Sequence, residues 1–426
     1  MTTRAAPRTK FGDVFGVGEF RTLWLAQVLS VTGDQLARVA LTVLIYDRTG
    51  SALLAAVAFS ASVVPTFIGG LVLSGLADRL PRRRVMIGAE LTSAVLVTVM
   101  AVPGVPLAVL IMLLFAVTMI SALFLAARSA IYPEILDRDQ YVLGTAITMT
   151  TLLFAQVAGF AIGGVVVGFL GVHASMLADA LSFGASALLI RMRVQARPVP
   201  EAIPRGASQP LDTTPRGDRR RHAWYSVGGG VMAGLRLVFG DPALRIPMLF
   251  GWLCAFYNIP EGVATPLAAA VGGGAVTVGL VLAAQAFGSA VGAVAFSRLV
   301  TAVQQVKWTG PLAIAACASL VVFAVRPSLP LALLILAVSG IFGCYQLSAN
   351  ALFVQAAPPA QRSQAFGIAQ GGISLCQGAA ILMAGAAAQH VAPATVIAVA
   401  GAIGALFALA LTRTAAARQI AAHRRH

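Results

Sequence analysis

Twelve apolar runs leave this chain few folds to choose from. Six lie at 23–45, 52–76, 85–102, 106–127, 143–169 and 173–190, and six more at 246–270, 276–298, 309–325, 329–353, 363–387 and 391–412. A helix of about 20 apolar residues crosses a 30 Å hydrocarbon core, and each run holds one. Only 11% of residues are charged and 58% are hydrophobic, where a soluble protein carries about 25% charge. The expectation is an all-α polytopic membrane protein with 12 transmembrane helices in two six-helix bundles.

Short turns alternate with charged ones. Asp47–Ser51, Pro103–Pro106, Gly171–His173, Val271–Gly274, Arg326–Ser328 and Gln389–Pro393 are short, and most are rich in Pro or Gly. Such turns between long helices force antiparallel neighbours. All of the 30 Lys and Arg residues except Arg38, Arg48 and Arg326 fall at the other ends of the runs. Positive residues stay on the cytoplasmic side, which places both termini inside and the protein in the cell membrane. The net charge of +15 therefore marks membrane topology rather than nucleic-acid binding, since no aromatic platform accompanies the arginines. The basic N-terminus has no adjacent apolar run or small-residue cleavage site, unlike a removed signal peptide.

The same pattern sets the domain boundaries. Residues 1–22 are a cytoplasmic N-terminal segment, 23–190 the first bundle, and 191–222 a flexible linker. That linker holds eight arginines against three acids, and its prolines prevent a stable helix. Residues 223–412 form the second bundle behind an amphipathic stretch, Val227–Phe239, that lies along the inner surface up to Asp241–Pro242; 413–426 are a cytoplasmic tail. Two sixes divided by a linker suggest a transporter whose halves rock about a central cavity. Weak internal symmetry agrees: Gly70–Ser74 has a counterpart in Gly292–Ser297, though the second copy lacks the acid and the arginine cluster.

The first of these inner turns carries Gly75, Asp78, Arg79, Arg82, Arg83 and Arg84. Asp78 stands one residue before Arg79 and four before Arg82, within reach of a guanidinium or of the next helix start. The turn is either a functional latch or a plain stop-transfer signal. Ionisable groups at lipid depth are costly and face a cavity or a partner. Asp34 and Arg38 are four apart in the first run, on one helix face with the acid N-terminal. Gln27 lies on the same stripe. The pair is either proton-responsive and substrate-contacting, or a salt bridge that fixes packing. In the seventh run Tyr257 and Asn258 precede Pro260 and Glu261. Pro260 frees a carbonyl near Phe256 or Tyr257 and bends the helix. A carboxyl at such a bend takes a proton when the cavity closes and loses it when water enters; otherwise Glu261 lies near the outer headgroups.

Other polar groups complete the picture. Glu90 is placed to pair with the arginine cluster, and Asp179 to face Gln156 or Ser182. The second half is neutral at depth, with Gln285, Tyr345, Gln346, Ser348, Asn350, Gln370, Ser374 and Gln377. Gln370, Ser374 and Gln377 share a stripe that suits either a substrate or helix–helix contact. Gly159, Gly163, Gly164 and Gly168 permit close helix approach in the fifth run. Cys254, Cys317, Cys344 and Cys376 lie in apolar runs and read as packing residues. His173, His222, His390, His423 and His426 form no metal motif, and Lys10 and Lys307 belong to no Walker sequence. No enzyme, cofactor or metal is expected, and transport is driven by an ion gradient.

Gly75, Asp78, Arg79 and the following arginines resemble, position for position, the signature loop between spans two and three of the major facilitator superfamily. Within it the chain is similar to the bacterial drug- and macrolide-efflux-like branch, from Phe20 to Arg413. Thr49–Ser51, Arg128 with Pro133–Glu134, and Asn258–Glu261 also look like branch features. The resemblance implies that Asp78 and Arg82 latch the inner helix ends in the outward-facing state. Two features depart from the family: Gly159 is followed by Phe160 instead of Pro, and the fourth run lacks a mid-helix arginine. Arg38 is the arginine at comparable depth, which shifts coupling onto Asp34 and Arg38, with Glu261 as second acid.

Together these readings predict a monomeric secondary exporter of small hydrophobic or amphipathic compounds, such as a drug, antibiotic or siderophore, in exchange for protons. Gln27, Gln156, Tyr257, Asn258, Gln285, Tyr345, Gln346, Gln370, Ser374 and Gln377 are its cavity candidates. An importer of a small organic solute is the alternative on the same fold, and a non-transporting sensor or assembly protein is another.

Overall fold

A membrane interior offers no water to backbone N–H and C=O groups, so each span must satisfy them within itself. The computed structural model meets that demand with helices. It describes residues 10–69, 80–197, 232, 234–358 and 361–423, and of 302, 363 and 416–423 the backbone alone. Among the described residues there is no strand, and nine helices are long and apolar enough to cross a membrane, or up to ten if one bent pair is a single span.

The first bundle begins earlier than its hydropathy suggests. A short helix, α1 (Phe11–Gly16), precedes α2 (Gly18–Thr49). Phe15 meets the edges of Phe20 and Trp24 at 5.7 and 5.2 Å, which folds this part of the N-terminal segment onto the bundle. α2 ends at Gly50, whose φ of 62° suits a residue without Cβ. The Ser51 hydroxyl then accepts from the Leu54 N–H at 3.2 Å and caps α3 (Ala52–Gly69). α4 (Arg82–Met100) and α5 (Leu107–Ile135) follow. α6 (Arg138–Arg193) takes in both of the next two apolar runs. The turn expected at Gly171–His173 is a single-residue break at Gly171, with φ 82° and ψ 170°, a conformation open to glycine.

The second bundle is more broken. α7 (Gly234–Gly240) meets the following helix at 96°, and the Asp241 carboxylate caps α8 (Pro242–Trp252) by accepting from the Ala243 N–H at 2.8 Å. Breaks at Leu253, Asn258 and Val263 divide the seventh apolar run into α8, α9 (Cys254–Tyr257), α10 (Ile259–Gly262) and α11 (Ala264–Ala270). Pro247, Pro260 and Pro266 each remove a helical donor there. α12 (Ala275–Leu299) is continuous, whereas α13 (Ala302–Ala318) tightens into a 3-10 turn over Ser319–Val325. α14 (Leu329–Phe342) and α15 (Tyr345–Ala356) are split at Gly343 and Cys344. α16 (Arg362–Ala387) and α17 (Pro393–His423) close the chain, and α17 carries helix through the first eleven residues of the expected tail.

The buried apolar side chains fall into three clusters. One spans both bundles, joining Val39, Phe160 and Val167 to Val278, Leu282 and Ile381. The second belongs to the first bundle alone, with Val14, Phe20, Val85, Ile131 and Ile190. The third belongs to the second bundle alone, with Val238, Leu244, Phe353 and Ala365. These separate clusters lie at the arginine-bearing helix ends, and the shared one extends to the short-turn ends. Among the described residues the helices before residue 198 and those after residue 233 thus share one apolar cluster, and each set has a second cluster of its own.

Close helix contact explains the shared end. A Cβ added to Gly164 would lie 2.8 Å from Gly279 Cα and 2.9 Å from the Ala275 carbonyl oxygen. Neither helix can come so near with a larger residue. On the other side Ser60 donates to the Gly378 carbonyl at 3.3 Å, and Gln389 donates to Ser51 at 2.6 Å.

Candidate functional site

In the first bundle, α2 carries Asp34 and Arg38 at its middle, beside a small cavity of ≈ 100 Å³. Ser62 and Thr66 of α3, Thr118 and Ser121 of α5, and Asp179 of α6 share its lining. The expected Asp34–Arg38 ion pair is not formed within 4.0 Å. The guanidinium turns instead toward α3, where Nη2 donates to the Ser62 carbonyl at 3.4 Å and the charge lies 5.5 Å from the Phe59 ring centre. Its reach along the side chain exceeds one helix turn, so i, i+4 spacing alone does not fix its partner. The charges of Asp34 and, from the other bundle, Glu261 both reach it.

Glu90 also differs from expectation, whereas Asp179 meets one of its two expected partners. Glu90 is buried away from the arginines, near Ser30 and Ser186. Asp179 accepts from Ser182 at 3.3 Å, and no hydrogen bond joins it to Gln156. The arginines have other partners: Arg82 pairs with Glu134 and donates to the Ala130 carbonyl at 2.7 Å. Arg83 donates to the Arg191 carbonyl at 2.5 Å. Glu134 also faces Arg197 at 3.8 Å, and Arg197 pairs with Glu19 at 2.5 Å, strapping the start of the linker to the first bundle. Asp78 and Arg79, with Gly75 and the linker beyond Arg197, lie outside the described residues.

The second bundle gathers most of the predicted neutral groups into one network. Because the helix breaks at Asn258, the Tyr257 carbonyl is free to accept from Gln285 Nε2 at 2.8 Å. The same amide donates to Asn258 Oδ1 at 3.0 Å. Gln346 Nε2 donates to the Tyr257 hydroxyl at 2.7 Å, and Tyr345 donates to the Phe250 carbonyl at 3.1 Å. Gln377 Nε2 donates to Glu261 Oε2 at 3.3 Å. Each buried polar group here has a partner across a helix break, which fixes α8–α10 against α12, α15 and α16. Tyr257→Phe is therefore expected to destabilise the detergent-solubilised protein by about 1–3 kcal/mol, because it strands the Gln346 donor. Thermal unfolding of the pair of proteins checks it.

The remaining candidates stand apart. Gln27 is buried with its carbonyl oxygen unpartnered, so it does not continue the Asp34–Arg38 face into open space. Gln156 and Ser374 are half-buried, and Gln370 is exposed, so the α16 stripe is uneven: only Gln377 joins the network. Glu134, Ser62 and Phe59 were not singled out as partners. Their signal is long-range pairing, which no local spacing carries. Among the described residues no group of three or more His, Cys, Asp or Glu side chains could hold a metal ion.

A family model described as Major Facilitator Superfamily matches residues 23–263. The multidrug efflux pump Tap of Mycobacterium tuberculosis is 29% identical over 333 residues, covering 74% of each chain. Tap of Mycolicibacterium fortuitum is 25% identical, covering 82% of this chain and 84% of its own. Among solved structures, a POT family transporter in complex with a thioalcohol-conjugated peptide superposes with TM-score 0.68 at 13% identity, covering 93% of this chain and 96% of that one. A bacterial homolog of the human lysosomal transporter Spinster, inward-facing and occupied, does so with TM-score 0.65 at 14% identity, with coverage of 93% and 96%.

Proposed function

We propose that this chain, which belongs to the Major Facilitator Superfamily, exports small hydrophobic or amphipathic organic molecules in exchange for protons. It lies in the drug efflux-type branch and is a multi-pass membrane protein, a secondary active transporter of small molecules that works by alternating access. The observation that carries the proposal is the position of Arg38. Its guanidinium lies at the cavity beside Asp34 without an ion pair, held by the Ser62 carbonyl and the Phe59 ring, and Glu261 of the other half is within its electrostatic range, so its pairing is tied to how the halves sit. Beside it, the hydroxyls of Ser62, Thr66, Thr118 and Ser121 line the cavity and offer hydrogen bonds to an uncharged or weakly polar molecule.

The same reading takes twelve spans in two sixes. To the ten counted with the bent pair, the break at Gly171 adds one and α4 another; α4 carries Arg82, Arg83, Arg84 and Glu90 on a helix that is otherwise uncharged. Both termini then lie in the cytoplasm, by the arginine placement, and a single chain contains the whole cleft. The separate clusters at the arginine end correspond to an inward-open state.

Cells lacking their own efflux pumps test this directly. Accumulation of labelled macrolides, dyes and siderophores is compared for wild type and Asp34→Asn, with and without a protonophore. A compound excluded by energised wild-type cells, and by neither the variant nor de-energised cells, is the expected result; exclusion that survives both would refute proton exchange through Asp34. Import of a small organic solute is the second reading, because rocking halves fix no direction and an inward-open state belongs to either cycle. Protein-dependent uptake of a panel compound would favour it.

A further inference from the structure

The first bundle buries more negative charge than it balances. Asp34 on α2, Glu90 on α4 and Asp179 on α6 lie within electrostatic reach of one another. Glu90 and Asp179 are 2% and 1% exposed, and each keeps one carboxyl oxygen without a hydrogen-bond partner. The helices are tight here: a methyl group on Gly33 would overlap Asp179 Oδ1 and Ser182 Oγ. Asp179 and Asp34 nevertheless border the small cavity, whose other polar lining is Arg38 and the hydroxyls of α3 and α5.

Three carboxylates face one guanidinium, Arg38, because the bundle's other buried arginine, Arg128 on α5, lies over the Tyr132 ring at 5.2 Å; negative charge is left over. Buried ions without partners are disfavoured, so cations must make up the difference or the groups must be neutral. A directly ligated metal ion is not suited, since no three such side chains converge among the described residues. A proton needs only one lone pair, and the unpartnered oxygens of Glu90 and Asp179 supply them.

We propose that Glu90 and Asp179, together with Asp34, form a proton-holding site inside the first bundle, behind α2 and apart from the cleft that takes the organic molecule. The charged group facing it is Arg38 from α2, which Glu261 of α10 also attracts; Arg128 of α5 is turned onto the Tyr132 ring. With protons on the site, the guanidinium is free to turn toward Glu261; when they leave, Asp34 draws it back. The site rests on the proton-exchange reading and adds two residues to it, on helices that reading does not use.

Infrared difference spectra of the full-length protein in lipid nanodiscs, between alkaline and acidic buffer, read protonated carboxyl groups directly and need no substrate. Wild type is expected to gain carbonyl bands on acidification. Glu90→Gln and Asp179→Asn are each expected to lose one component, and replacing choline by sodium at constant pH to change nothing. Either variant suffices if the other does not accumulate. Spectra of the variants identical to wild type would overturn the proposal, as would bands that respond to sodium. Carboxyl groups that titrate in a protein that moves no organic molecule would sink the exporter reading and leave this one standing.

Discussion

Arg38→Gln is expected to lower gradient-driven transport by about a hundredfold while the protein still reaches the membrane. The guanidinium spends one donor on the Ser62 carbonyl, lies over Phe59, and is felt by both Asp34 and Glu261. Leaving a buried charge without its partner costs about 3–5 kcal/mol, and about 1.4 kcal/mol is a factor of ten. The cavity beside Arg38 admits water, so the lower end of that range applies. The penalty falls on whichever conformation buries the two carboxylates together, and the cycle stalls there. Arg38→Lys should recover part of the rate, since it keeps the charge but not the planar fork. Initial transport rates at matched membrane expression measure both. An Arg38→Gln protein with an unchanged rate would make the arginine a packing residue.

Gly279→Val should bias the protein away from the state described here. A Cβ at Gly279 would lie 2.6 Å from Gly164 Cα and 2.7 Å from the Phe160 carbonyl oxygen, against about 3.5–4.0 Å for an ordinary contact. Both neighbours are backbone and cannot rotate aside. Overpacking of this kind costs about 1–3 kcal/mol, and the strain is relieved when α6 and α12 separate at the short-turn end. The equilibrium between the two states then moves by about 5–150-fold. Cysteines placed at Ser51 and Gln389, whose side chains hydrogen-bond across the halves at 2.6 Å, report it. Their cross-linking yield with a short bifunctional maleimide should fall in Gly279→Val. An equal yield would mean that the glycine contact is not a gate.

Much of the fold was legible because lipid permits so little else. Apolar length located the helices, and the prolines at 247, 260 and 266 marked the run that breaks. Their consequence was legible too: a freed carbonyl near Tyr257 was expected, and Gln285 takes it. Helix ends were harder, since α2 and α17 continue through polar residues that hydropathy assigns to segments outside the membrane. Turn length misled at Gly171, where one glycine conformation does the work of a loop.

The candidate site was legible as a set of residues and not as a set of pairs. Tyr257, Asn258, Gln285, Gln346, Gln377 and Glu261 were all named, yet nothing in their spacing says which donates to which. Asp34 and Arg38 show the limit of local spacing, because a long guanidinium chooses a carbonyl and a ring on the next helix. Glu90 and Asp179 reach Asp34 from far along the chain, and only the packing of α4 on α6 and of α6 on α2 brings the three acids near one another. Arg82 was expected to act with Asp78, and its partner among the described residues is Glu134, which two helices bring together.

Proton movement in proteoliposomes tests the central claim most directly. Purified protein is reconstituted with a compound that energised cells exclude, and an imposed pH gradient is the sole driving force. The account predicts that the compound moves against its own gradient while protons flow the other way, and that Arg38→Gln vesicles do neither. Compound movement that ignores the pH gradient, or that runs in the same direction as the protons, would contradict it.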